Sequence, residues 1–465
     1  MTPGLQGGVV SESPGQTRLR DDALAIWRAG VDAVDSQRLV RDCVRAADRT
    51  LEICGQSFPL APGGRIVAVG AGKAGAGMAA GLERALAASP LADRLSGWVN
   101  VPADCVRPLE KIRLHAARPA GVNEPTAAGV AGATEILGRV RQLSRDDLCL
   151  VLISGGASAL LPAPVPGISL ADKLAVTRLL MSGGATINEL NCVRKHLSAI
   201  KGGNLARAAG EARVVSLIIS DVVGDPLDVI GSGPTVADRS TAADALAVLE
   251  RVARQRRDVP ASVWSLLEAK RSAAPDPPLP TTVWNFVIGN NETALRAAAL
   301  KATQLGCVTR SLGSRNQGEA RDVGGELARL IRSLRDSDAP AASRVCVLGG
   351  GETTVHLAAT SQPRRGGRNQ ELVLGAVKSL WDDGMQRLVV LSGGTDGEDG
   401  PTDAAGAVAD AELIRTARSL GLAPDPFLAI NNSYEFFART GGLVKTGPTH
   451  TNVMDVWVAL IAPPG

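Results

Sequence analysis

Four carboxylates lie within one short glycine-rich segment of this sequence. Asp396, Glu398, Asp399 and Asp403 follow the apolar run 387–391, which has the pattern of a short buried strand. Carboxylates placed this densely repel one another unless a cation lies among them, and a hard cation such as Mg²⁺ prefers oxygen ligands. The spacing does not fit an EF-hand. A metal and phosphate loop at the end of a strand is one interpretation, and an acidic surface turn is the other.

Two further positions could bind an anion. Lys73 lies in Gly70-Ala-Gly-Lys-Ala-Gly75, which follows an apolar run and fits the dinucleotide fingerprint. That fingerprint also needs an acid at the end of the next strand, and here the next strand ends in Asn100-Val-Pro102. The Walker A spacing is missing as well. Lys73 is therefore interpreted as a lysine at a helix N-terminus that meets a phosphate or carboxylate, with a solvated first-turn lysine as the alternative.

Arg368 and Lys195 are the other basic candidates. Arg368 follows two glycines at the start of a predicted helix, where a guanidinium can bind phosphate oxygens in bidentate fashion. An ordinary surface arginine is the alternative. Lys195 recurs with Asn188 and Asn191 at helical spacing, which predicts a polar stripe on one helix face. Among the charges of that stripe, Lys195 is the candidate for a ligand site.

The elements that must position these residues alternate between strands and helices, which predicts two α/β domains with largely parallel sheets. We expect strands at residues 65–69, 97–101, 148–153, 214–219, 283–288, 307–312, 345–348, 388–391 and 453–461. We expect helices at residues 22–53, 74–87, 292–305, 319–334 and 369–380. The proline-rich segment 270–280 reads as a linker, which gives predicted domains at residues 20–270 and 281–465.

Five of these strands lead into turns of small and polar residues. Ligands of open α/β sheets bind outside the carboxyl ends of the strands, and glycine turns before helices offer free N–H groups to anions. Three of the turns precede the linker and two follow it, so the sequence predicts a ligand cleft between the domains. The turns are 70–73, 154–158, 220–225, 349–352 and the acidic segment after Leu391.

Composition excludes several functional classes. The net charge is +3 with no basic run, which argues against a nucleic-acid partner. The seven cysteines form no Cys-x-x-Cys pair and suit reduced thiols of an intracellular protein. No run of about 18 apolar residues predicts a membrane span, and the residues up to Arg20 lack the apolar core of a secretory signal. We expect a cytoplasmic protein, with a mitochondrial location as the alternative, and a monomer or homodimer.

Nine motifs, in the same order along the chain, give the sequence a close similarity to glycerate 2-kinases of the MOFRL-containing group, and in particular to its animal D-glycerate kinase branch. The similarity covers the chain from about residue 22 to the C-terminus. It departs from the family at Gly155-Gly-Ala-Ser158, where the family has three glycines, and in lacking a His-Pro-Val-Pro-Asp segment. The motifs lie at residues 69–74, 152–164, 201–206, 217–226, 231–236, 349–354, 366–371, 392–401 and 451–455.

The resemblance implies a Rossmann-like N-terminal domain and a C-terminal domain with a MOFRL segment at about residues 343–460. It implies phosphoryl transfer from ATP, with Mg²⁺, to D-glycerate, giving 2-phosphoglycerate, with Lys73 and Arg368 as catalytic residues. The expected substrate-binding residues are Ser154, Gly155, Gly156, Ala157, Ser158 and Lys195. The expected nucleotide-binding residues are Gly70, Gly72, Gly349, Gly350, Gly351, Glu352, Asn369, Gly393, Gly394 and Thr395. The expected metal ligands are Asp221, Asp225, Asp396 and Asp399.

Two other functional classes stay open at this point. A hydroxypyruvate reductase would oxidise NAD(P)H, and the missing ribose-binding acid argues against it. A non-catalytic binder of small phosphorylated acids would use the same cleft without turnover.

Overall fold

The computed structural model describes residues 14–273, 277–280, 282–337 and 343–464, and it divides into two compact units. The first unit contains Val34–Asn290 together with His450–Val453. The second contains residues 14–33, Asn291–Thr449 and residues 454–464. Within these ranges, no helix combines the length and apolar character that a bilayer span requires.

The bounds of the helices and strands follow in chain order. The α-helices are α1 Pro14–Ala33, α2 Ser36–Cys43, α3 Gly75–Leu86, α4 Ala127–Val140, α5 Ala157–Leu160, α6 Leu170–Ser182, α7 Ile187–His196, α8 Asn204–Ala208, α9 Ala242–Val252, α10 Ala261–Arg271, α11 Asn291–Gln304, α12 Ala320–Arg335, α13 Arg368–Ser379, α14 Ala411–Ser419, α15 Pro424–Ala429 and α16 Ser433–Thr440. The strands are β1 Val44–Ala47, β2 Thr50–Ile53, β3 Gln56–Pro59, β4 Ile66–Ala71, β5 Leu95–Pro102, β6 Ile112–Arg118, β7 Leu148–Ile153, β8 Arg213–Ile219, β9 Val283–Gly289, β10 Cys307–Ser311, β11 Arg344–Gly351, β12 Leu388–Gly394, β13 Gly406–Asp410, β14 Leu443–Val444 and β15 Asp455–Ile461.

The first unit is built on a six-stranded sheet in the order β6-β5-β4-β7-β8-β9, and every neighbouring pair in it is parallel. Numbered along the chain, this is the Rossmann order 3-2-1-4-5-6, so the Rossmann-like prediction is confirmed. The direction in which successive strands are added to the sheet reverses between β4 and β7. Every residue of these two strands is buried. Ligands of such sheets bind outside the carboxyl ends of the strands at this reversal, and the turns 70–73 and 154–158 lie there.

The second unit is built on a mixed six-stranded sheet in the order β10-β11-β15-β12-β13-β14. The β10–β11 pair is parallel, and the other neighbouring pairs are antiparallel. Strands β10, β11, β12 and β14 nonetheless share one direction, because the last strand, β15, inserts between β11 and β12 with the opposite direction. The two-domain α/β class is confirmed, and the wholly parallel pairing belongs to the first sheet. Since β11 and β12 share a direction, their carboxyl ends lie at one edge.

The predicted helix over 22–53 is two helices as far as Cys43, and the prediction is wrong beyond that residue. The chain turns after Ala33, and Asp35 begins α2 by accepting the N–H of Arg38 at 2.7 Å. Residues 44–59 then form the small antiparallel sheet β1-β2-β3. Its buried side chains are Val44, Leu51, Ile53 and Phe58. A short alternating pattern of apolar residues fits both structures, and strand pairing decides between them.

The unit boundaries also differ from the predicted domains 20–270 and 281–465. Strand β9 pairs with β8 and so completes the first sheet, although it follows the proline-rich segment. Helix α1 belongs to the second unit, where the indole N–H of Trp27 donates to the carbonyl oxygen of Gly393 at 3.2 Å. The segment 270–280, of which 274–276 lie outside the described residues, therefore connects two elements of one unit.

Candidate active site

Lys73 lies in the tight turn that joins β4 to α3 at the reversal of the first sheet. The backbone N–H of Lys73 donates to the carbonyl oxygen of Gly155 at 2.8 Å. The next N–H, of Ala74, donates to Oγ of Ser154 at 3.1 Å. These amides would face the pyrophosphate in a dinucleotide-binding turn, but here each has a protein acceptor. The turn consequently presents a lysine side chain rather than free backbone donors.

Gly72 allows the turn 70–73 to approach the turn 154–158 closely. It has a φ of +147°, and a Cβ atom at this position would lie 1.9 Å from Oγ of Ser154. Any side chain at Gly72 would push Ser154 away and break its bond to Ala74. Gly70, predicted with Gly72 as a nucleotide-binding residue, lies inside β4 and pairs with Leu152 of β7.

The predicted substrate turn 154–158 lies beside Lys73, between β7 and α5. Gly156 has a φ of +79°, and a methyl group added there would lie 3.7 Å from Cγ of Lys73. Ala157 is buried, and its N–H donates to the carbonyl oxygen of Ser154 at 3.1 Å. The structure thus brings Lys73 and this turn together, as the strand-end pattern predicted.

Ser158, the last residue of that turn, contacts a lysine that sequence reasoning did not select. Nζ of Lys201 donates to the carbonyl oxygen of Ser158 at 2.9 Å and to its Oγ at 2.8 Å. Oγ of Ser158 lies 3.1 Å from Oγ of Ser232, which donates to Oδ1 of Asn191 at 3.0 Å. Asn191, from the predicted polar stripe of α7, therefore supports the substrate turn through Ser232.

Lys195, the basic residue selected from the same helix, is balanced by carboxylates. Its Nζ lies 3.3 Å from Oδ1 of Asp238 and 3.5 Å from Oδ2 of Asp228. Lys195 is also buried. Its role in substrate binding stays a prediction, and its observed contacts are two ion pairs.

The two aspartates of the 220–225 turn have different surroundings. A methyl group added at Gly155 would lie 2.4 Å from Oδ2 of Asp221, so this carboxylate adjoins the substrate turn. Asn452 also donates to Asp221, at 3.4 Å. Asp225 has a φ of +56°, and its Oδ2 accepts Nδ2 of Asn290 at 2.7 Å. Of the two predicted metal ligands in this turn, Asp221 is the one next to Lys73 and its neighbours.

In the second unit, Arg368 begins α13 and is held by two carboxylates. Its Nε and Nη2 donate to Oδ2 and Oδ1 of Asp455 at 2.7 and 3.0 Å, and its Nη1 donates to Oε1 of Glu352 at 2.8 Å. Burial would lower the pKa of Arg368, but Asp455 and Glu352 raise it above its ordinary value. Burial raises the pKa of Glu352, and the charges of Asp455 and Asp396 raise it further, against the opposing effect of Arg368.

Asp399, from the acidic segment, caps the same helix. Its Oδ1 and Oδ2 accept the backbone N–H groups of Asn369 and Gln370 at 3.0 and 2.8 Å. Burial raises the pKa of Asp399 to about 7, although these two N–H donors favour the charged form. A Cβ atom at Gly367 would lie 2.3 Å from the Asp399 carboxyl group, so glycine is needed where the helix begins. Asp399 thus fixes the backbone from which Arg368 projects.

The other acidic residues of this segment have different contacts. Asp403 lies at the surface and bonds to Lys445 and Tyr434 at 2.8 and 2.7 Å. Oδ1 of Asp396 accepts the N–H of Glu398 at 3.1 Å. Asp399 therefore caps a helix and Asp403 forms a surface ion pair, whereas the charge of Asp396 acts on Glu352 beside Arg368.

The predicted nucleotide-binding glycines of the second unit continue two strands. Residues 349–351 belong to β11 and pair with β15, whereas sequence reasoning ended the strand at 348. Residues 393–394 likewise belong to β12, and Thr395 donates its hydroxyl to the carbonyl oxygen of Met454 at 2.7 Å. The side chain of Asn369 contacts Asp455 at 2.9 Å. Nucleotide binding by these residues stays a prediction.

The carboxylates fit a Mg²⁺ ion that nucleotide phosphates help to hold, rather than a cage made of protein ligands alone. Across the part of the chain that the structure describes, no group of three or more His, Cys, Asp or Glu residues is arranged to hold a metal ion. Mg²⁺ usually keeps several waters and takes one or two carboxylates plus substrate phosphates. Because both oxygens of Asp399 accept helix N–H groups, Asp396 suits that role better within the second unit. Within the first unit, Asp221 is the candidate.

Comparisons with known proteins agree with this architecture. Residues 22–268 match a family described as a domain of unknown function, DUF4147, and residues 345–455 match the MOFRL family. A glycerate kinase of Homo sapiens is 37% identical over 515 residues, which cover 99% of this chain and 97% of that protein. The chain belongs to this DUF4147 and MOFRL family.

Two further relatives carry different names. A protein of Agrobacterium vitis with the provisional name hydroxypyruvate reductase is 41% identical over 426 residues, covering 91% of this chain and 93% of its own length. The crystal structure of a glycerate kinase from Thermotoga maritima superposes with a TM-score of 0.82 and 33% identity, covering 96% of this chain and 100% of that chain. The family is therefore established, while its members bear both a kinase and a reductase name.

Sequence reasoning missed Asp455 and three basic residues of the first unit. Asp455 ends the ninth family motif and could have been found as a buried carboxylate beside a basic residue, but its partner, Arg368, is 87 residues away. The basic residues are Lys173, Arg194 and Lys201. Arg194 directly precedes Lys195 on α7. Adjacent helical residues point about 100° apart, so only the packing of α7 decides which of the two faces the pocket.

Proposed function

We propose that this protein is an ATP-dependent kinase that phosphorylates the 2-hydroxyl group of D-glycerate, giving 2-phosphoglycerate. The observation that carries the proposal is the turn around Lys73. Its leading N–H groups donate to Gly155 and Ser154, so they are not available to a dinucleotide pyrophosphate. A lysine beside a glycine-rich turn suits a reaction between a small anion and a phosphoryl group.

The same observation separates the kinase from the reductase. A nicotinamide enzyme with this sheet order would bind its pyrophosphate at the turn after β4. That turn is closed here by hydrogen bonds to the neighbouring turn. The glycerate kinase relatives, similar over nearly the whole chain, support the same choice.

Phosphoryl transfer depends mainly on positioning and on neutralising charge. Lys73 is fixed through its own backbone, and its ammonium group would neutralise charge on the acceptor or on the transferred phosphoryl group. The guanidinium of Arg368, aligned by Asp455, would do the same for phosphate oxygens in the second unit. Asp396 in the second unit or Asp221 in the first would be a ligand of Mg²⁺, which would supply positive charge against the phosphate oxygens. The predicted interdomain cleft stays a prediction.

One assay tests the proposal. Purified protein is incubated with D-glycerate and Mg-ATP, ADP release is followed, and the product is identified by ³¹P NMR. We expect a 2-phosphate ester, and the formation of 3-phosphoglycerate alone would refute the stated regiochemistry. NAD(P)H oxidation with hydroxypyruvate, without ester formation from glycerate, would favour the reductase instead.

Two variants locate the activity in the residues named above. Lys73→Met should lower kcat by at least about 100-fold, the loss typical of a group that stabilises transition-state charge. Arg368→Lys keeps the charge but cannot keep both bonds to Asp455, and should lower kcat to a similar extent. Thermal unfolding of both proteins shows whether they are folded. Folded variants with unchanged kcat would remove these residues from the mechanism.

A further inference from the structure

A pocket of the first unit has basic walls and no acidic residue among its lining. Its volume is about 170 Å³, and it is lined by Asn123, Pro125, Gly156, Ser158, Ala159, Pro162, Lys173, Thr177, Arg194 and Lys201. We name Lys173, Arg194 and Lys201, with the space between them, the cation pocket. The three residues come from α6, α7 and the turn before α8, so they are brought together only by folding.

No carboxylate of the described residues forms an ion pair with any of these three cations. Nζ of Lys201 donates to Ser158 and, at 3.5 Å, to the carbonyl oxygen of Gly231. Nζ of Lys173 donates to the carbonyl oxygen of Leu197 at 3.0 Å. These acceptors are uncharged. Among the described residues, Arg194 makes no ion pair and no side-chain hydrogen bond, although it lines the pocket.

The nearest carboxylate along the chain bonds to other residues. Asp172 precedes Lys173, but its carboxylate accepts the N–H of Ser169 at 3.0 Å and the hydroxyl of Ser262 at 3.1 Å. Lys173 and Lys201 are both buried, with residue exposures of 7% and 2%. Burying cations without counter-ions costs free energy, so this arrangement is stabilised when an anion enters the pocket.

The pKa values of the three basic groups are all lowered, as expected for cations that are crowded together without an anion. Burial, together with the charge of Arg194, lowers the pKa of Lys173 to about 7. Burial lowers the pKa of Lys201 well below its ordinary value, and Lys173 and Arg194 add to this effect. Burial also lowers the pKa of Arg194. A bound anion would oppose all of these shifts by favouring the protonated amines.

The position of the pocket indicates which anion it binds. Gly156 and Ser158, from the predicted substrate turn, line it, and a methyl group on Gly156 would lie 3.7 Å from Cγ of Lys73. The volume suits a molecule of a few heavy atoms and not a nucleotide, since ligand sites for drug-sized molecules measure about 300–1,000 Å³. The anion therefore lies next to the lysine proposed to act on the acceptor.

We propose that the cation pocket binds the carboxylate group of the hydroxy-acid acceptor, with Arg194, Lys173 and Lys201 as its ligands and the 2-hydroxyl directed toward Lys73. This assignment rests on the proposed function, since it names the acceptor's binding groups. It also makes the pocket the determinant of specificity. An acceptor that lacks the carboxylate leaves the two buried lysines and the half-buried Arg194 without an anion, whereas D-glycerate supplies one.

The test measures D-glycerate binding in the absence of nucleotide, by calorimetry at pH 7 on the full chain. Arg194→Met should weaken binding by about 10- to 100-fold, the loss expected when a hydrogen bond to a charged group is removed. Arg145→Met is the matched control, because Arg145 lies at the surface of the same unit opposite Glu211 at 3.7 Å. It should bind D-glycerate as the wild type does. Equal affinity in wild type and Arg194→Met would overturn the assignment.

Kinetics separate the carboxylate from a phosphate source. Arg194→Met and Lys173→Met should raise the KM for D-glycerate by about 10- to 100-fold and change the KM for ATP by less than about twofold. A rise in the KM for ATP alone would assign the pocket to a phosphate and overturn the proposal. Inorganic phosphate provides a direct check. If phosphate binding is lost in Arg194→Met while D-glycerate binding persists, the pocket is a phosphate site.

The outcomes also distinguish this assignment from the proposed function. If a phosphate ester forms but both variants keep the wild-type KM for D-glycerate, the kinase stands and the pocket assignment fails. If D-glycerate binds, Arg194→Met abolishes the binding, and no ester forms with any nucleotide, the pocket assignment stands and the kinase fails. A second readout is proton uptake at pH 8, compared in Hepes and Tris. Binding should take up protons in the wild type and fewer in Lys173→Met.

Discussion

The cation pocket of the first unit and the Arg368 site of the second unit differ in the partners of their basic side chains. In the pocket, the two lysines bond to uncharged oxygens, and within the described residues Arg194 makes no side-chain hydrogen bond or ion pair. At the second site, one guanidinium meets the buried carboxylate of Asp455 and the half-exposed carboxylate of Glu352. The first arrangement lacks an anion and the second already has two.

This difference would suit the two sites to different roles in the proposed reaction. A cation without a counter-ion gains most from binding a substrate anion, and so it gives affinity. A cation already aligned by carboxylates gains less from binding, but its orientation is fixed before the reaction, which favours transition-state stabilisation. We therefore expect variants of the cation pocket to change KM and variants of Arg368 to change kcat.

The largest expected difference between the sites is in stability. Arg368→Met leaves the Asp455 carboxylate buried, with an exposure of 0%, and without its cation. Removing one partner of a buried ion pair typically costs about 3–5 kcal/mol. We expect a loss of that size in the free energy of unfolding, measured by urea titration. Arg145→Met should change it by less than about 0.5 kcal/mol. A change below about 1 kcal/mol for Arg368→Met would show that Asp455 does not depend on this cation.

The same substitution in the cation pocket should have the opposite sign. Lys173→Met removes a buried charge that has no carboxylate partner and replaces it with an apolar chain of similar length. Replacing buried charge by well-packed apolar residues is often neutral or stabilising, and here we expect a gain between zero and about 2 kcal/mol. The measurement is the urea midpoint without ligand. A loss of more than about 2 kcal/mol would contradict the view that Lys173 is retained for binding.

The pH dependence of stability should show the same effect in the wild type. The pKa of Lys173 is about 7 in the folded protein and 10.5 in the unfolded chain, so between these values the unfolded state binds more protons. Stability should therefore rise with pH across this window, by at most about 1.4 kcal/mol per pH unit from one group. Lys201, with its lowered pKa, adds in the same direction, and the neighbouring Arg194 stays charged.

The check compares urea unfolding at pH 7 and pH 9 in the wild type and in Lys173→Met. The slope should be smaller in the variant. Saturating D-glycerate should also reduce the slope in the wild type, because a bound carboxylate restores the protonated amines. An identical slope in the variant would exclude Lys173 as its source.

The sequence predicted those parts of the fold that depend on local pattern. The long apolar runs 148–153 and 388–391 are strands, and the periodic segment 369–380 is a helix within one residue at each end. The pairing of the strands was harder to predict from the sequence. The insertion of β15 between β11 and β12 depends on which edges remain open after the chain has folded, and no local pattern encodes that.

The candidate site was predicted to a similar degree. Lys73 and the turn 154–158 were expected at the carboxyl ends of parallel strands, and the sheet order brings those ends together. The cation pocket was not foreseen, because its basic residues come from three separate elements and nothing in the sequence shows which charges lack a partner. Asp399 illustrates the same limit. A cluster of carboxylates predicts a metal site, and a helix start 30 residues earlier gives this one a different contact.

The smallest expected effect separates the two carboxylates that hold Arg368. The Glu352 side chain is 45% exposed, so solvent screens its 2.8 Å contact with Arg368, and such pairs contribute at most about 1 kcal/mol. Glu352→Gln should therefore lower the free energy of unfolding by less than about 1 kcal/mol, measured by urea titration beside Arg368→Met. Asp455 would then account for most of the stability, and Glu352 would be the partner that a phosphate oxygen can replace. A loss in Glu352→Gln as large as that in Arg368→Met would mean that both carboxylates are needed to hold the guanidinium, which would leave no exchangeable position for phosphate.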